Sequence, residues 1–290
     1  MVLQAKVNGM FGAASGTGIM AGEVTSVTGA LLLAPLLLLP SSKAGISGLV
    51  AGLRAGRIQW WMLLAGMSGG FYVITQGTAA GLLGLSFFSL AIVTGQNLSA
   101  IAVDTFGLFS AAKKPLSVSR IAGVAIAISG LATSAILGGL NISWMVLLPF
   151  ISGLFIGIQQ AVNGALGHES GSPIVTTFLN FLAGGITTSL GVMIFRVDLN
   201  NISWPSNPLL YSGGLIGILF IAIQVIVVRK IGVLVMATSL LSGQVIAAAI
   251  IDLVAPEGMF RLSTGSGLAL IMVLAGLLLV LRKPKKVRSP

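Results

Sequence analysis

Residues 95–104 read GQNLSAIAVD, and residues 243–252 read GQVIAAAIID. Both stretches place a Gln and an Asp eight residues apart within a long apolar run. A shared glycine means little in a chain with 39 of them, but the whole chain has only eight Gln and three Asp. The two stretches therefore predict that the chain contains two copies of one unit, 148 positions apart.

The correspondence extends well beyond these two stretches. At the offset of 148, these positions match in order: Gly66, Gly69, Gln76, Gly84, Gly95, Gln96 and Asp104 with Gly214, Gly217, Gln224, Gly232, Gly243, Gln244 and Asp252. Nearer the start, Gln4-x-x-Val7-Asn8-Gly9 matches Gln159-x-x-Val162-Asn163-Gly164 at an offset of 155. The offset changes because the basic loop at 41–59 is longer than its counterpart near 196–208. We divide the chain into unit 1–140, unit 141–282 and a basic tail, 283–290.

Composition indicates an integral membrane protein. Of the 290 residues, 56% are hydrophobic and 8% charged, whereas a soluble domain has about 25% charged residues. The mean hydropathy is +1.05. The net charge of +10 does not indicate nucleic-acid binding, because the basic residues lie in short loops and a tail rather than on one solvated face. The bilayer is therefore the expected partner.

Nine apolar runs are long enough to cross a bilayer, which takes about 20 residues. They fall near 17–39, 60–80, 83–105, 120–140, 144–166, 173–195, 209–228, 231–253 and 264–281. A shorter apolar helix precedes them, and its Met1 aligns with Ile156 of the second copy. The first helix therefore lacks about a dozen residues relative to its counterpart. Two explanations stay open: a native start further upstream, or a short re-entrant or peripheral segment.

The loop charges predict which side of the membrane each loop occupies. Counted from the short first helix, one side receives Lys43, Arg54, Arg57, Lys113, Lys114, Arg120, Arg229, Lys230, Arg282, Lys283, Lys285, Lys286 and Arg288. The other side receives only Arg196 and Arg261. Basic loops stay in the cytoplasm, so the C-terminus is predicted inside a multi-pass inner or plasma membrane protein. We expect an all-α fold of about ten transmembrane helices, in which five-helix units repeat in inverted orientation.

Inverted repeats are typical of secondary transporters, which hold substrate near the midplane between the repeats. A channel or a membrane subunit without transport activity is the alternative. An enzyme is not expected, because the chain has one His, His168, no Cys and few carboxylates. No cofactor or metal site is expected either.

The paired Q-x-x-V-N-G and G-Q-x7-D motifs resemble the YdcZ-type branch of the drug/metabolite transporter superfamily, over nearly the whole chain. The resemblance implies a bacterial inner-membrane exporter of five helices, or ten when two units are fused. It also implies a cavity between helices one to four of each unit, with the fifth helix mainly packing. The substrates of that family are largely undefined.

Polar residues inside the apolar runs are the candidate functional residues. Gln96 and Gln244 lie just past mid-membrane, and they are either interhelical hydrogen-bonding residues or two walls of a substrate site. The other candidates for the substrate pathway are Gln4, Asn8, Gln76, Gln159, Asn163 and Gln224. Asp104 and Asp252 lie at the ends of their helices. They either cap the next turn or hold a neighbouring Lys or Arg, or they act as gates.

Glu23 is an acid inside a span, where the second copy has Phe178. Lys6 should lie at a similar depth, so an ion pair between them is expected. The alternative is that Glu23 is a proton-coupling carboxylate. The scarcity of charge at mid-membrane favours small, weakly polar metabolites or drugs as substrates. Protons are a candidate coupling ion, and a homodimer is a candidate assembly.

Overall fold

The computed structural model describes residues 1–110, 117–137, 144–231, 240, 243–244, 246–247, 250–251 and 264–281. These residues form helices joined by short turns, and none of them lies in a β-strand. The predicted all-α class is therefore confirmed for the described part of the chain.

The helices follow the predicted apolar runs closely. Their bounds are α1 Val2–Ser15, α2 Gly18–Leu33, α3 Pro40–Arg54, α4 Gly66–Thr75, α5 Gly81–Leu83, α6 Leu85–Phe106, α7 Val118–Leu137, α8 Trp144–Ser170, α9 Pro173–Ile194, α10 Gly213–Ile231 and α11 Thr264–Leu281. The described positions between 240 and 251 are also helical. Short 3-10 turns cover Ala34–Leu38, Trp60–Leu64, Leu108–Ser110, Leu199–Asn201 and Pro208–Tyr211.

Several helices have the length and surface of membrane spans. Among the described residues, four are long and apolar enough to cross a bilayer: Gly18–Leu38, Leu85–Phe106, Leu147–Ser170 and Pro173–Ile194. Large apolar side chains project outward from them, with Leu31 66% and Ile194 70% exposed. Water would penalise such a surface, whereas lipid tails would not. The outer face of the bundle therefore fits a lipid environment.

The segment predicted as a basic loop at 41–59 is mostly helical, which corrects the sequence analysis. Helix α3 occupies Pro40–Arg54, with Pro40 at its first turn, where a missing N–H costs nothing. Its glycines let it dock closely: a Cβ on Gly45 would lie 2.6 Å from Ser172 Cβ, and one on Gly52 would lie 3.0 Å from Glu169 Oε2. Helix α3 is too short to span the membrane, so its sequence does not contain an apolar run of the length that predicts a span.

Close helix packing relies on small residues. Helix α9 packs against both α2 and α4, α6 packs along α8, and α7 packs along α11. At the α6–α8 contact, a Cβ on Gly95 would lie 2.8 Å from Leu154 N. At the α4–α9 contact, a Cβ on Gly70 would lie 2.7 Å from Thr187 Cβ and 3.0 Å from Gly184 Cα. Such close approach gives dispersion contacts that lipid cannot replace.

The span that begins at residue 60 is not a regular α-helix. Helix α4 passes into a π-turn at Gln76–Ala80 and then into α5. Gly84 separates α5 from α6 with φ 78° and ψ 149°, a conformation that is essentially available only to glycine. The π-turn packs against α1 and α2. Such turns are frequent at functional sites.

The α4–α9 contact gives a direct test of the packing. Gly70→Ala should lower the free energy of unfolding by about 1–3 kcal/mol, because the new methyl group meets Thr187 and Gly184. Gly164→Ala is the matched control, since nothing lies within 4 Å of the added Cβ. It should leave stability unchanged or raise it slightly through helix propensity. Unfolding of detergent-solubilised protein measures both, and equal midpoints for the two variants would contradict this packing.

Candidate functional site

A cavity lies among six helices, three from each half of the chain: α1, α2 and α4 with α8, α9 and α10. The volume of this cavity, counted as the space open to the centres of water-sized atoms, is about 60 Å³. One water needs about 10–15 Å³ on this measure, so the cavity can hold several waters or a small organic molecule. Among the described residues that line it, none is Asp, Glu, Lys, Arg or His. The site is polar through amides and hydroxyls, not through charge.

A network of amides forms the wall contributed by α8 and α9. Asn180 Nδ2 donates to Asn163 Oδ1 at 3.0 Å and to Thr176 O at 2.8 Å. Asn180 Oδ1 in turn accepts from Gln159 Nε2 and, at 3.2 Å, from Asn163 Nδ2. Gln159, Asn163 and Asn180 are each less than 7% exposed. Three buried amides thus stabilise one another in a region without bulk water.

A similar network joins α1, α2 and the irregular end of α4. Thr25 Oγ1 donates to Asn8 Oδ1 at 2.8 Å, and Asn8 Nδ2 donates to Gln76 Oε1 at 2.8 Å. Gln4 Nε2 donates to Gly213 O at 3.0 Å, which ties α1 to the start of α10. Gln4 and Thr25 line the cavity, whereas Asn8 and Gln76 lie behind it. Asn8 and Gln76 are at most 1% exposed.

The lining residues correspond between the two halves at the offsets of the sequence repeat. At the offset of 155, Met1, Gln4, Thr25 and Ser26 pair with Ile156, Gln159, Asn180 and Phe181, and at the offset of 148, Gly69, Tyr72 and Val73 pair with Gly217, Phe220 and Ile221. The hydrogen bond from Thr25 to Asn8 corresponds to the one from Asn180 to Asn163. The cavity therefore receives equivalent positions from both halves.

The predicted residues divide into those that reach the cavity and those that do not. Gln4, Gln159, Asn163 and Gln224 line it. Gln96 and Gln244, which the sequence analysis considered as its two walls, do not. Gly95 brings α6 against the backbone of α8, so the adjacent Gln96 is enclosed and 1% exposed. Among the described residues, neither Gln96 Nε2 nor Gln96 Oε1 has a hydrogen-bond partner.

Gln244, the counterpart of Gln96, contacts Met1 at the start of α1. Gln244 is 7% exposed, and Met1 lines the cavity while Gln244 does not. Gln244 therefore lies one layer behind the lining.

The expected ion pair between Lys6 and Glu23 is wrong. Glu23 Oε1 accepts a hydrogen bond from Ser189 Oγ at 3.0 Å, and among the described residues neither Lys6 nor Glu23 forms an ion pair. Helices α1 and α2 meet through Asn8 and Thr25. Lys6 and Glu23 each precede one of these residues by two positions, about 200° around the helix, so the two charges point away from the shared face.

Asp104 forms an ion pair at the end of α6. Its Oδ2 lies 3.0 Å from Nη2 of Arg120 at the start of α7, and the Arg120 side chain is 9% exposed. This ion pair agrees with the structural role expected for Asp104, in which the acid holds a neighbouring Lys or Arg, rather than with a role as a gate. Asp252, its counterpart in the second copy, lies outside the described residues.

Another ion pair lies just after α3, and this one connects the two halves. Arg57 donates from Nε to Glu169 Oε1 and from Nη2 to Glu169 Oε2, both at 3.0 Å, which is the bidentate geometry favoured by a guanidinium. These hydrogen bonds raise the pKa of Arg57 above its ordinary value. Arg57 stays charged at any physiological pH, and the pair holds the segment after α3 against the end of α8.

Sequence reasoning missed several lining residues. Thr25 and Asn180 are polar residues inside apolar runs, and they correspond to each other at the repeat offset. Because one is Thr and the other Asn, a comparison for identical residues does not pair them. Tyr72, Phe181 and Phe220 gave no signal, because an aromatic residue in a membrane span is usually a packing residue. An inspection of every polar position at both offsets would have found Asn180.

The sequence profile of a family described as "Putative inner membrane exporter, YdcZ" matches residues 1–133 and 144–279. The chain belongs to this family. The resemblance read from the paired motifs is thereby confirmed, and the family's description is that of an inner membrane exporter.

The fold of this YdcZ-family chain also matches solved structures. One, titled "Crystal structure of protein", gives a TM-score of 0.55 at 17% sequence identity and covers 97% of this chain and 94% of that one. At this identity, the likeness concerns the fold alone. No curated protein matches the chain.

Two substitutions to leucine should have opposite effects on stability. Gln96→Leu removes an amide whose two polar atoms are buried and find no partner among the described residues, so it should raise the free energy of unfolding by about 1–3 kcal/mol. Asn180→Leu leaves Gln159 and Asn163 without their partner, so it should lower that free energy by at least about 2 kcal/mol.

Thermal unfolding in the same detergent compares the two variants. Thr25→Val is the control, since it removes one hydrogen bond and should have a smaller effect than Asn180→Leu. Destabilisation by Gln96→Leu as large as that caused by Asn180→Leu would contradict the assignment of partners.

Proposed function

We propose that this protein is a secondary-active exporter that moves a small, weakly polar metabolite or drug by alternating access between two inverted five-helix repeats. The single observation that carries the proposal is the cavity to which both halves contribute equivalent residues. Secondary transporters commonly bind substrate at such an interface between repeats, near the midplane. The description of the matching family as an exporter supports outward transport.

The pattern of helix contacts supports a two-fold relation between the halves. Exchanging α1, α2 and α4 for α8, α9 and α10 turns the α4–α9 contact into the α2–α10 contact, and both contacts occur. The α2–α9 and α7–α11 contacts are unchanged by the exchange, as expected for pairs next to a two-fold axis. The α6–α8 contact has its counterpart where Gln244 meets Met1.

Each half also covers one end of the other half. Helix α3 of the first half docks on the turn between α8 and α9. In the second half, the segment after α9 packs on the end of α1, where Phe11 makes edge contacts with Trp204 at 6.5 Å and Tyr211 at 5.2 Å. The contact made by the α3 segment is partly ionic, and the contact at the end of α1 is aromatic. Alternating access requires that each end of the bundle open in turn, and these contacts are the ones that would separate.

The bias of basic residues supports the orientation. With α3 and its Lys43, Arg54 and Arg57 in the cytoplasm, the corresponding segment at 196–208 lies on the outer side. The same rule puts the basic C-terminal tail in the cytoplasm. Glu23 remains the candidate carboxylate for proton coupling, because its Oε2 is buried and has no hydrogen-bond partner in the described part of the chain.

Counterflow in proteoliposomes tests transport. Vesicles loaded with a defined mixture of small neutral, cationic and anionic compounds should take up the isotope-labelled form of a substrate, with saturation at high external concentration. Gly69→Leu with Gly217→Leu should reduce this exchange to the level of empty vesicles, because both side chains enter the cavity. Gly164→Leu, where the added Cβ meets nothing within 4 Å, is the control and should retain exchange.

Other outcomes would replace the proposal. Flux that is driven by voltage and does not saturate would identify a channel instead. Exchange that survives both substitutions in the cavity would contradict the assignment of the site. A complete lack of flux for every class of compound would favour a membrane subunit without transport activity.

A further inference from the structure

We propose that the cavity selects uncharged compounds that carry N–H hydrogen-bond donors on an apolar, planar body, as primary and secondary amides do. The proposal deepens the transport function above and rests on it. It follows from the orientation of two glutamine side chains, Gln4 and Gln159, that the sequence repeat places opposite each other in the two halves.

The orientation of the Gln4 amide is fixed by a backbone carbonyl. Gln4 Nε2 donates to Gly213 O at 3.0 Å. A backbone carbonyl oxygen can only accept, so the end of the amide facing it must be the NH₂ group. The Gln4 Oε1 atom therefore occupies the other end, and it accepts no hydrogen bond within the described chain.

The orientation of Gln159 follows by the same logic through one more residue. Asn180 Nδ2 donates to the backbone oxygen of Thr176 at 2.8 Å, which makes Oδ1 the other end of the Asn180 amide. Gln159 faces that oxygen, so the atom it presents must be Nε2. Gln159 Oε1 is then the free end, and it too accepts no hydrogen bond within the described chain.

Both free oxygens belong to side chains that line the cavity. Gln4 is 5% and Gln159 6% exposed, and both residues line the cavity. Glycines preserve the space beside them: a Cβ on Gly217 would lie 2.7 Å from Gln4 Nε2, and one on Gly69 would lie 3.1 Å from Gln159 Nε2. Two acceptors without a donor from the described residues are left to water or to the N–H groups of a ligand that displaces it.

The remaining lining indicates the body and the charge of that ligand. Tyr72, Phe181 and Phe220 supply aromatic surface, which suits a flat apolar group. No acidic or basic side chain lines the cavity among the described residues, so a charged ligand would enter without a side-chain counter-charge. Burial of an unpaired charge is costly, which favours an uncharged N–H donor over an ammonium or a carboxylate.

Calorimetric titration of the full-length protein in lipid nanodiscs tests the proposal with four probes that share one ring: benzamide, N,N-dimethylbenzamide, benzamidinium and benzoate. We expect benzamide to bind and its dimethyl derivative to bind at least about tenfold more weakly, because it cannot donate to Gln4 or Gln159. Equal affinity for the two amides, tighter binding of either charged probe, or absence of benzamide binding would overturn the proposal.

Three variants connect the result to the named oxygens. Gln159→Leu should weaken benzamide binding at least about tenfold, whereas Gln96→Leu, an equal change outside the lining, should leave it unaltered. Gln159→Glu should reverse the preference towards benzamidinium, a gain that a misfolded protein cannot produce. A Gln159→Glu variant that still prefers benzamide would contradict the role of this oxygen.

Counterflow separates this proposal from the function on which it rests. Saturable exchange of a compound that has no N–H donor would overturn the substrate class and leave transport standing. Selective binding of benzamide without any exchange would retain the site and overturn the transport function.

Discussion

Buried amides that must find partners away from water are the constraint on which the rest of the structure depends. In lipid, an unpaired amide costs several kcal/mol, so helices that carry such groups must face one another or a hydrated cavity. Asn180 satisfies this requirement for Gln159 and Asn163 on one side. On the other side, Thr25 and Gln76 do so for Asn8. The two networks hold α1 to α2 and α8 to α9, and the cavity lies between them.

The sequence predicted the fold more completely than the site. Apolar runs fixed the positions of nearly every helix, because a bilayer demands both length and hydrophobicity. The helix within 41–59 was not predicted, because α3 is short, is rich in Gly and Ser, and is stabilised by docking on α8. Of the candidates, Gln4, Gln159, Asn163 and Gln224 line the cavity. Gln96 does not, because depth along a helix says nothing about the direction in which a residue points.

The two halves contribute equivalent positions to the cavity, but the residues at several of these positions differ. Thr25 corresponds to Asn180, Ser26 to Phe181 and Tyr72 to Phe220. The first half has a π-turn at Gln76–Ala80, whereas α10 is a regular helix through Gln224. A symmetric frame suits a cavity that opens to both sides, and the unequal lining allows an asymmetric ligand to bind in one orientation. Gln4 and Gln159, in contrast, are the same residue type in both halves.

The inverted relation between the halves is tested most directly by labelling from one side of the membrane. The chain has no cysteine, so a single one can be introduced at exposed Ser47 in α3 or at exposed Ser206 in the corresponding segment of the second half. In intact cells, a membrane-impermeant maleimide should label Ser206→Cys, and it should label Ser47→Cys only after the membrane is permeabilised. Labelling of both positions from the same side would contradict the inverted arrangement and the alternating-access mechanism built on it.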